Sequence, residues 1–313
     1  MAQLTDDQLA SIAQDYYFSK LNIAEISQKY DLSRYLIAKA LEDAQAKGIV
    51  EINIRQNAKR DTALETQLLQ KFHLTEAAVL KTGDDVQQDM DLIPEFAAKE
   101  IQTYLKNVTN VGVTWGSLMM TIIKNFAPEE RPDLTFVQMI GQGINAHKRK
   151  NPLVQSAADR FNAQSRALPA PIYVLNPETL RALEKEPFYE RISSYYDKLD
   201  LLFTSLGTFK SYHTNEFLKD YYESTMFKNI PQEKIAGMIF GRPYDINGNF
   251  FPGFDDNICG MNLDQIRSVP IRFGIVRNRF KSEALLGALR SGIITHLVTS
   301  DRIAMRVMTS AKE

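Results

Sequence analysis

Apolar positions along this chain fall into two regimes. Up to residue 50 they recur every three or four residues. Leu9, Ile12, Ala13 and Tyr16 make one stripe over 5–19, Ile26 marks a shorter run over 23–30, and Ile37, Ala40, Leu41 and Ala44 make a third beyond Ser33. Thr5, followed by Asp6 and Asp7, is a helix start, Ser33 is a second N-cap, and Gly48 stops the third helix. Ala24 is small where two helices would cross, and Leu32 in the turn closes the core. Val50, Ile52 and Ile54 then alternate with polar residues, as a half-exposed strand does. Helix, tight turn, helix and β-ribbon in this order predict a small winged helix-turn-helix, an arrangement that presents a helix to the major groove of DNA.

The second regime starts further on. Residues 55–75 are polar and then helical, with Leu64, Leu68 and Phe72 spaced by four, which reads as a linker helix with a part in a dimer contact. From 77 onward short β-rich runs at 77–80, 111–114, 134–140, 172–175, 201–206, 235–240, 271–276 and 295–298 alternate with amphipathic segments such as 95–105, 118–126 and 282–290. That alternation predicts an α/β fold, a doubly wound parallel sheet flanked by helices, which binds ligands at the carboxyl ends of its strands. The expected division is 1–56 for the helix-turn-helix, 57–76 for the linker helix and 77–313 for a larger effector domain.

At 313 residues the chain has room for two domains, and 44% hydrophobic with 24% charged residues is ordinary for a globular protein. The net charge of −1 excludes a nonspecific polycation, so any affinity for DNA must come from a local surface. Residues 29–60 carry seven basic and four acidic side chains, whereas residues 1–28 carry one and four. The positive balance falls on the third helix and the wing. Ser33, Arg34, Tyr35 and Lys39 occupy the start and the outward face of that helix, where arginine is suited to guanine edges. Lys47, Arg55 and Lys59 are placed for backbone phosphates. Solvated surface charge explains the same balance without DNA. The single cysteine, Cys259, excludes an intrachain disulfide and fits a reducing cytoplasm. The first residues lack the basic and apolar regions of a signal peptide, and no apolar run approaches the roughly 20 residues that cross a bilayer.

Three constellations carry candidate chemistry. Val111-Gly112-Val113-Thr114-Trp115-Gly116-Ser117 runs from a strand into an apolar helix, and free helix N–H groups with nearby hydroxyls favour phosphate. An ordinary strand-to-helix turn capped by Ser117 gives the same pattern. Gln138-Met139-Ile140-Gly141-Gln142-Gly143 ends another strand with two glycines and two amides suited to sugar hydroxyls, and His147-Lys148-Arg149-Lys150 follows as a basic loop. Late in the chain Arg277-Asn278-Arg279-Phe280-Lys281 precedes the helix over 282–290. Lys281 stands against the helix dipole there, and an anionic ligand or solvent exposure accounts for it. Leu206-Gly207-Thr208 closes a strand in the same style. Asn247-Gly248 is a hairpin turn with Asp245 in a structural role, and Asp255-Asp256 reads as loop surface with a possible reach to ligand. The four histidines, His73, His147, His213 and His296, lack metal-ligand spacing. No nucleophile elbow, phosphate-binding Walker loop or convincing acid–base pair is present. No catalytic residue, cofactor or metal is expected.

Taken together, these residues resemble the SorC/DeoR family of bacterial regulators, the group of the deoxyribonucleoside and central glycolytic regulators. The resemblance covers nearly the whole chain. It rests on Ala24-Glu25-Ile26 with Leu32-Ser33-Arg34, and on Val113-Thr114-Trp115-Gly116-Ser117, close to the family's GxSWG(T/S) loop. Gly207, the 241–248 region, Gly260-Met261-Asn262-Leu263 and Lys281 with Leu286-Gly287-Ala288-Leu289 follow in the family's order.

The resemblance implies an effector domain similar to sugar-phosphate isomerases and glucosamine-phosphate deaminases. A phosphorylated sugar would be its inducer, and a homodimer or homotetramer would bind operator DNA. Carried over, Thr114, Gly116 and Ser117 cradle phosphate, Gln138, Gly141 and Gln142 face the sugar, Gly207 forms pocket wall, and Lys281 pairs with the anion. The chain departs from the pattern at Gly141-Gln142, where two glycines are common. It departs again at Ile140, where some relatives carry lysine, at Met238, and at Arg277-Asn278, where glycines are usual. A sugar-phosphate isomerase or deaminase with an N-terminal appendage is the competing expectation. An RNA-binding module is disfavoured by the lack of an aromatic stacking motif.

Overall fold

The computed structural model describes residues 4–50, 58–83, 86–143 and 152–311, with residues 86–89 described by their backbone alone. The chain divides into two compact units, Met1–Asn57 and Ala58–Glu313.

The first unit is built from α1 (Asp6–Tyr17), α2 (Ile23–Tyr30) and α3 (Arg34–Ala46). Each helix start is held by the side chain before it. The Gln8 N–H donates to Thr5 Oγ1 at 3.3 Å and the Thr5 N–H to Gln8 Oε1 at 3.0 Å, a reciprocal cap that Asn22 and Glu25 repeat at α2. Ser33 Oγ accepts from the Leu36 N–H at 3.3 Å. Asp31, at φ 51°, turns α2 towards α3, and Gly48, at φ 70°, ends the run after α3. Leu9, Ile12, Ala13, Ile26, Ile37, Ala40, Leu41 and Ala44 are all buried in one core, with Leu32 packed against it. The expected wing strand and Arg55 involve residues 51–57, and His147-Lys148-Arg149-Lys150 lies within 144–151; both lie outside the described residues.

One polar cluster in this unit escaped the pattern. Asp15, on the buried side of α1, accepts Lys29 Nζ at 2.7 Å and the Tyr30 hydroxyl at 2.8 Å, so Lys29 is bound to the helix core and is not part of a free basic face. The Lys29 and Tyr30 hydrogen bonds hold the Asp15 carboxyl below its ordinary range. A depressed folded value stabilises the unit above the unfolded value, near 4, and that stability is lost as pH falls through the folded value. Asp15→Asn is therefore expected to flatten the acid limb of the unfolding curve between about pH 5 and pH 2. Superimposable acid limbs for the two proteins would remove this role.

In chain order the second unit contains α4 (Thr62–Phe72), β1 (Glu76–Leu80), α5 (Val86–Leu105), β2 (Asn110–Val113), α6 (Ser117–Asn125), β3 (Thr135–Gln138), α7 (Leu153–Phe161) and β4 (Gln164–Arg166). Then come α8 (Pro177–Leu183), α9 (Pro187–Ser193), β5 (Leu201–Ser205), α10 (Phe209–Tyr212), α11 (Glu216–Met226), β6 (Gly237–Ile239) and β7 (Arg242–Tyr244). The chain closes with α12 (Leu263–Ser268), β8 (Ile271–Ile275), α13 (Ser282–Arg290), β9 (His296–Ser300) and α14 (Asp301–Ser310).

Among the described residues seven strands form one parallel sheet in the order β1-β9-β8-β5-β2-β3-β4. Its central strands are buried on both faces. Val111, Val113, Leu201 and Phe203 enter one core with α5, α6 and α7, while Leu202, Val137 and Leu297 enter the other with α4, α13 and α14. From β2 the chain winds outward through β3 and β4, then returns to β5 on the other side of β2 and winds the opposite way through β8 to β9. The reversal between β2 and β5 leaves a crevice at their carboxyl ends, the place where open α/β sheets bind ligands.

Three expectations need adjusting. The 172–175 run forms no named strand. It is an extended segment with single bridges from Tyr173 to Ile258 and from Gln142 to Pro171. The edge place in the sheet goes instead to the short, polar β4, whose burial pattern gave no signal. The 235–240 run leaves the main sheet as β6 and pairs antiparallel with β7. The helix expected as a linker is α4, which packs on β1 and α14 with Leu68 fully buried, so it is a layer of the second unit and not a free connector.

Candidate functional site

In the first unit Ser33, Arg34, Tyr35 and Lys39 are exposed along the start and outer face of α3. Tyr35 is 73% exposed beside Arg34. Lys47 is placed differently: its ammonium pairs with Asp6 at 2.8 Å. Both partners are exposed, so this pair is weak.

In the second unit a cavity of about 360 Å³ opens at the β2/β5 crevice, within the range of small-molecule sites. Strand ends supply its polar end. Thr114 follows β2 and shares a 3.0 Å hydrogen bond with Thr204 of β5. Gly116 precedes α6 at φ 149°, a conformation that favours glycine, and no side chain caps the helix. Ser117 is thus the first residue of α6 and not its cap. The first N–H groups of α6 are left for an outside acceptor, with the positive end of the helix dipole behind them. Gly207 is pinned to Met238 by two backbone bonds of 2.8 and 3.0 Å and forms wall.

Lys281 precedes α13, and its Nζ reaches across to donate to the Leu206 carbonyl at 2.5 Å. Burial, and then the nearby Arg277 guanidinium, hold its ammonium below the usual lysine range. Arg277 lines the same cavity. Among the described residues no carboxylate, histidine or cysteine lines it, so two cations face an uncapped helix start with nothing to neutralise them. Ile140, Ile172, Met238, Phe240, Tyr173 and Tyr212 add apolar and aromatic wall, and Ser205, Thr208, Ser211, Thr214 and Asn278 add polar groups. Burial pushes both tyrosine hydroxyls well above their ordinary range, so each stays protonated. The arrangement can seat an anion at one end and a compact, partly apolar body at the other.

The structure brings Thr114, Gly116, Ser117, Gly207 and Lys281 to this cavity and leaves out Gln138, Gly141 and Gln142. The Gln138 side chain is buried and spent on the chain itself, donating to the Ile140 carbonyl at 2.8 Å and accepting from the Leu168 N–H at 3.3 Å. Gly141 answers a close approach by the backbone: a Cβ there would lie 2.0 Å from the Pro171 carbonyl oxygen. Gln142 exchanges backbone bonds of 2.9 Å with Ala170 and Ile172, and it is exposed. Gln142 joins the end of β3 to the 170–172 segment, Gln138 joins it to Leu168, and Gly141 lets Pro171 approach. Gly141→Ala is accordingly expected to cost more than about 2 kcal/mol of stability because backbone cannot yield, while Gln142→Ala leaves both stability and effector affinity unchanged. Chemical denaturation of the two variants checks the contrast, and equal stabilities would remove it.

Asp255 is likewise structural. It pairs with Arg242, which is 1% exposed and also donates to the Phe240 and Met261 carbonyls at 2.8 Å each. That brace, with the Tyr173 hydroxyl on the Gly241 carbonyl, fixes the hairpin turn in the cavity wall. Asp245 accepts from the Asn247 and Asn249 N–H groups at 2.9 Å each and shapes the turn expected there. Thr204, Ser205, Tyr173 and Tyr212 line the cavity without having been singled out in the sequence, and Arg277 was marked there only as part of the run before Lys281. The first two carried a visible signal as hydroxyls closing a strand beside Leu206-Gly207.

The fold and the cavity define an α/β domain with a crevice of small-molecule size, which follows a three-helix unit in the sequence. A family described as "Putative sugar-binding domain" matches residues 56–309, and the chain belongs to that family. The chain is 26% identical over 302 residues to the sorbitol operon regulator of Klebsiella pneumoniae, covering 95% of this chain and 96% of that protein. It is also 26% identical over 302 residues to the deoxyribonucleoside regulator of Bacillus subtilis (strain 168), with 94% and 95% covered. The crystal structure of the full-length sorbitol operon regulator SorC from K. pneumoniae superimposes with a TM-score of 0.72 at 24% identity, over 98% of this chain and all of that one. The SorC/DeoR resemblance read from the motifs is borne out. No described helix is long and apolar enough to cross a membrane.

Proposed function

We propose that this chain is a DNA-binding transcriptional regulator of carbohydrate or nucleoside metabolism, acting in the bacterial cytoplasm and controlled by a phosphorylated sugar. One observation carries the choice of effector: Lys281, Arg277 and the uncapped start of α6 meet in a cavity whose described lining holds no carboxylate. A phosphoryl group supplies the missing negative charge, and the apolar wall suits the carbon face of a small sugar. The named functions of the two relatives support the regulator reading. In it Arg34, Tyr35 and Lys39 read the duplex, Lys47 and Arg55 hold its phosphates, and Thr114, Gly116, Ser117, Gly207 and Lys281 hold the effector. A homodimer or homotetramer acts as a repressor whose two reading helices change spacing when effector binds. An effector shifts that balance only by its differential affinity for the two arrangements.

The cavity binds its guest and does not transform it. Turnover of a sugar phosphate needs a positioned base and acid. The ionisable side chains of the described lining are instead a lysine, an arginine and two tyrosines that burial keeps protonated. A thermal-shift screen against pentose and hexose phosphates tests the reading. At about a hundred times Kd the true effector adds about 2.7 kcal/mol, a rise of roughly 5–10 °C, whereas the unphosphorylated sugar gives none. Equal shifts from both forms, or conversion of any phosphate in the same tubes, would contradict it.

A further inference from the structure

One cavity residue has an odd second partner. Arg277 Nη1 donates to the main-chain carbonyl of Met90, on α5, at 3.3 Å. In an uninterrupted helix that carbonyl accepts from the N–H four residues on, and the residue there is Pro94, which lies inside α5 and has no N–H to give. The sequence thus opens one helix carbonyl by a proline and places an arginine of the ligand cavity against it. The bond is long, so it is weak. An anion offers the same guanidinium a shorter, charge-assisted bond.

We infer that Arg277 is an effector-binding residue shared between two acceptors. In the empty cavity it rests on the Met90 carbonyl, and when an anion binds beside Lys281 it transfers to the anion. The inference rests on the anion-site reading above and adds a consequence to it. Transfer strips the Met90 carbonyl of its partner, and Pro94 provides no replacement. The first half of α5, residues 86–93, then loses the tether that joins it to the end of β8. An anion in the cavity and a tethered α5 compete for one side chain, which gives the effector a different affinity for two states of this helix, the condition any ligand-driven change must meet.

Pro94→Ala separates the parts. It restores an N–H to the Met90 carbonyl, so Arg277 is no longer needed there, and alanine is well suited to a helix interior. The full chain is titrated with inorganic phosphate, following thermal stabilisation and amide hydrogen exchange of residues 86–93. Pro94→Ala is expected to lower the phosphate midpoint about threefold to tenfold, the scale of one hydrogen bond, and to exchange at one slow rate with or without phosphate. The unaltered protein should exchange faster over 86–93 once phosphate is bound. Arg277→Gln should raise the midpoint and lose the exchange response. If Lys281→Gln abolishes stabilisation while Pro94→Ala keeps the unaltered midpoint, or exchange over 86–93 ignores bound phosphate, the sharing of Arg277 is wrong and the anion site stands. If Lys281→Gln is stabilised as well as the unaltered protein, the anion site itself is wrong and the inference falls with it.

Discussion

Lys281→Gln is expected to weaken effector binding by about 3 kcal/mol, roughly a hundredfold, while the second unit stays folded. The size follows from where the ammonium sits. Its stem is half-buried, Arg277 is its neighbour, and the described lining offers no carboxylate to share the load. Truncating one partner of such a desolvated charge pair costs far more than removing a surface ion pair. The glutamine amide keeps a neutral donor on the cavity wall, one bond shorter than the lysine ammonium. Isothermal titration with whichever sugar phosphate stabilises the protein reads the change. A loss of less than about threefold would place the anion elsewhere.

The second large effect lies at the other end of the chain. Arg34→Ala is expected to reduce operator affinity by about 1–3 kcal/mol, the worth of one good bidentate base contact, with effector binding unaltered. Arg34 is exposed at the first position of α3, and no described residue takes up its guanidinium. Lys47→Ala should do less, because Lys47 already shares its charge with Asp6. The salt dependence distinguishes the roles. Loss of a phosphate contact lowers the slope of log affinity against log salt by about one, whereas loss of a base contact leaves the slope and relaxes the sequence preference. Affinity unchanged in Arg34→Ala would remove α3 as the reading helix.

Periodic burial made most of the fold legible. The helix expected over 282–290 is α13 to the residue, and the strands at 77–80, 111–114, 201–206 and 271–276 fall within a residue or so of β1, β2, β5 and β8. Those elements are long, or buried on both faces, so their apolar runs carry the signal. The failures share a cause as well. β4 is three polar residues whose pairing is decided by its neighbours, and the 172–175 run is apolar because Ile172, Tyr173 and Val174 are buried in the core, with Leu175 exposed, whatever its backbone does.

The candidate site was legible where function and backbone need the same thing. Gly116 and Ser117 mark an open helix start, and Lys281 is conspicuous because it opposes a dipole. Gln138, Gly141 and Gln142 misled because a strand-end amide or glycine looks the same whether it meets a ligand or another strand of the chain. The Gln138 bonds to Ile140 and Leu168, and the 2.0 Å between a Gly141 Cβ and the Pro171 oxygen, distinguish the two. Arg277 was visible as an unusual residue, but its link to Pro94 joins positions far apart in sequence and needs three dimensions.

In the proposed function, charge captured at Lys281 governs the grip of α3 on DNA. Fluorescence anisotropy of labelled DNA from upstream of the chain's own gene tests it most directly, using the full chain and its Lys281→Gln variant with and without the stabilising sugar phosphate. Both proteins are expected to bind the DNA alike in the absence of sugar phosphate, and the ligand to change affinity at least tenfold for the unaltered chain alone. DNA affinity that ignores the ligand, or that responds equally in both proteins, would contradict it.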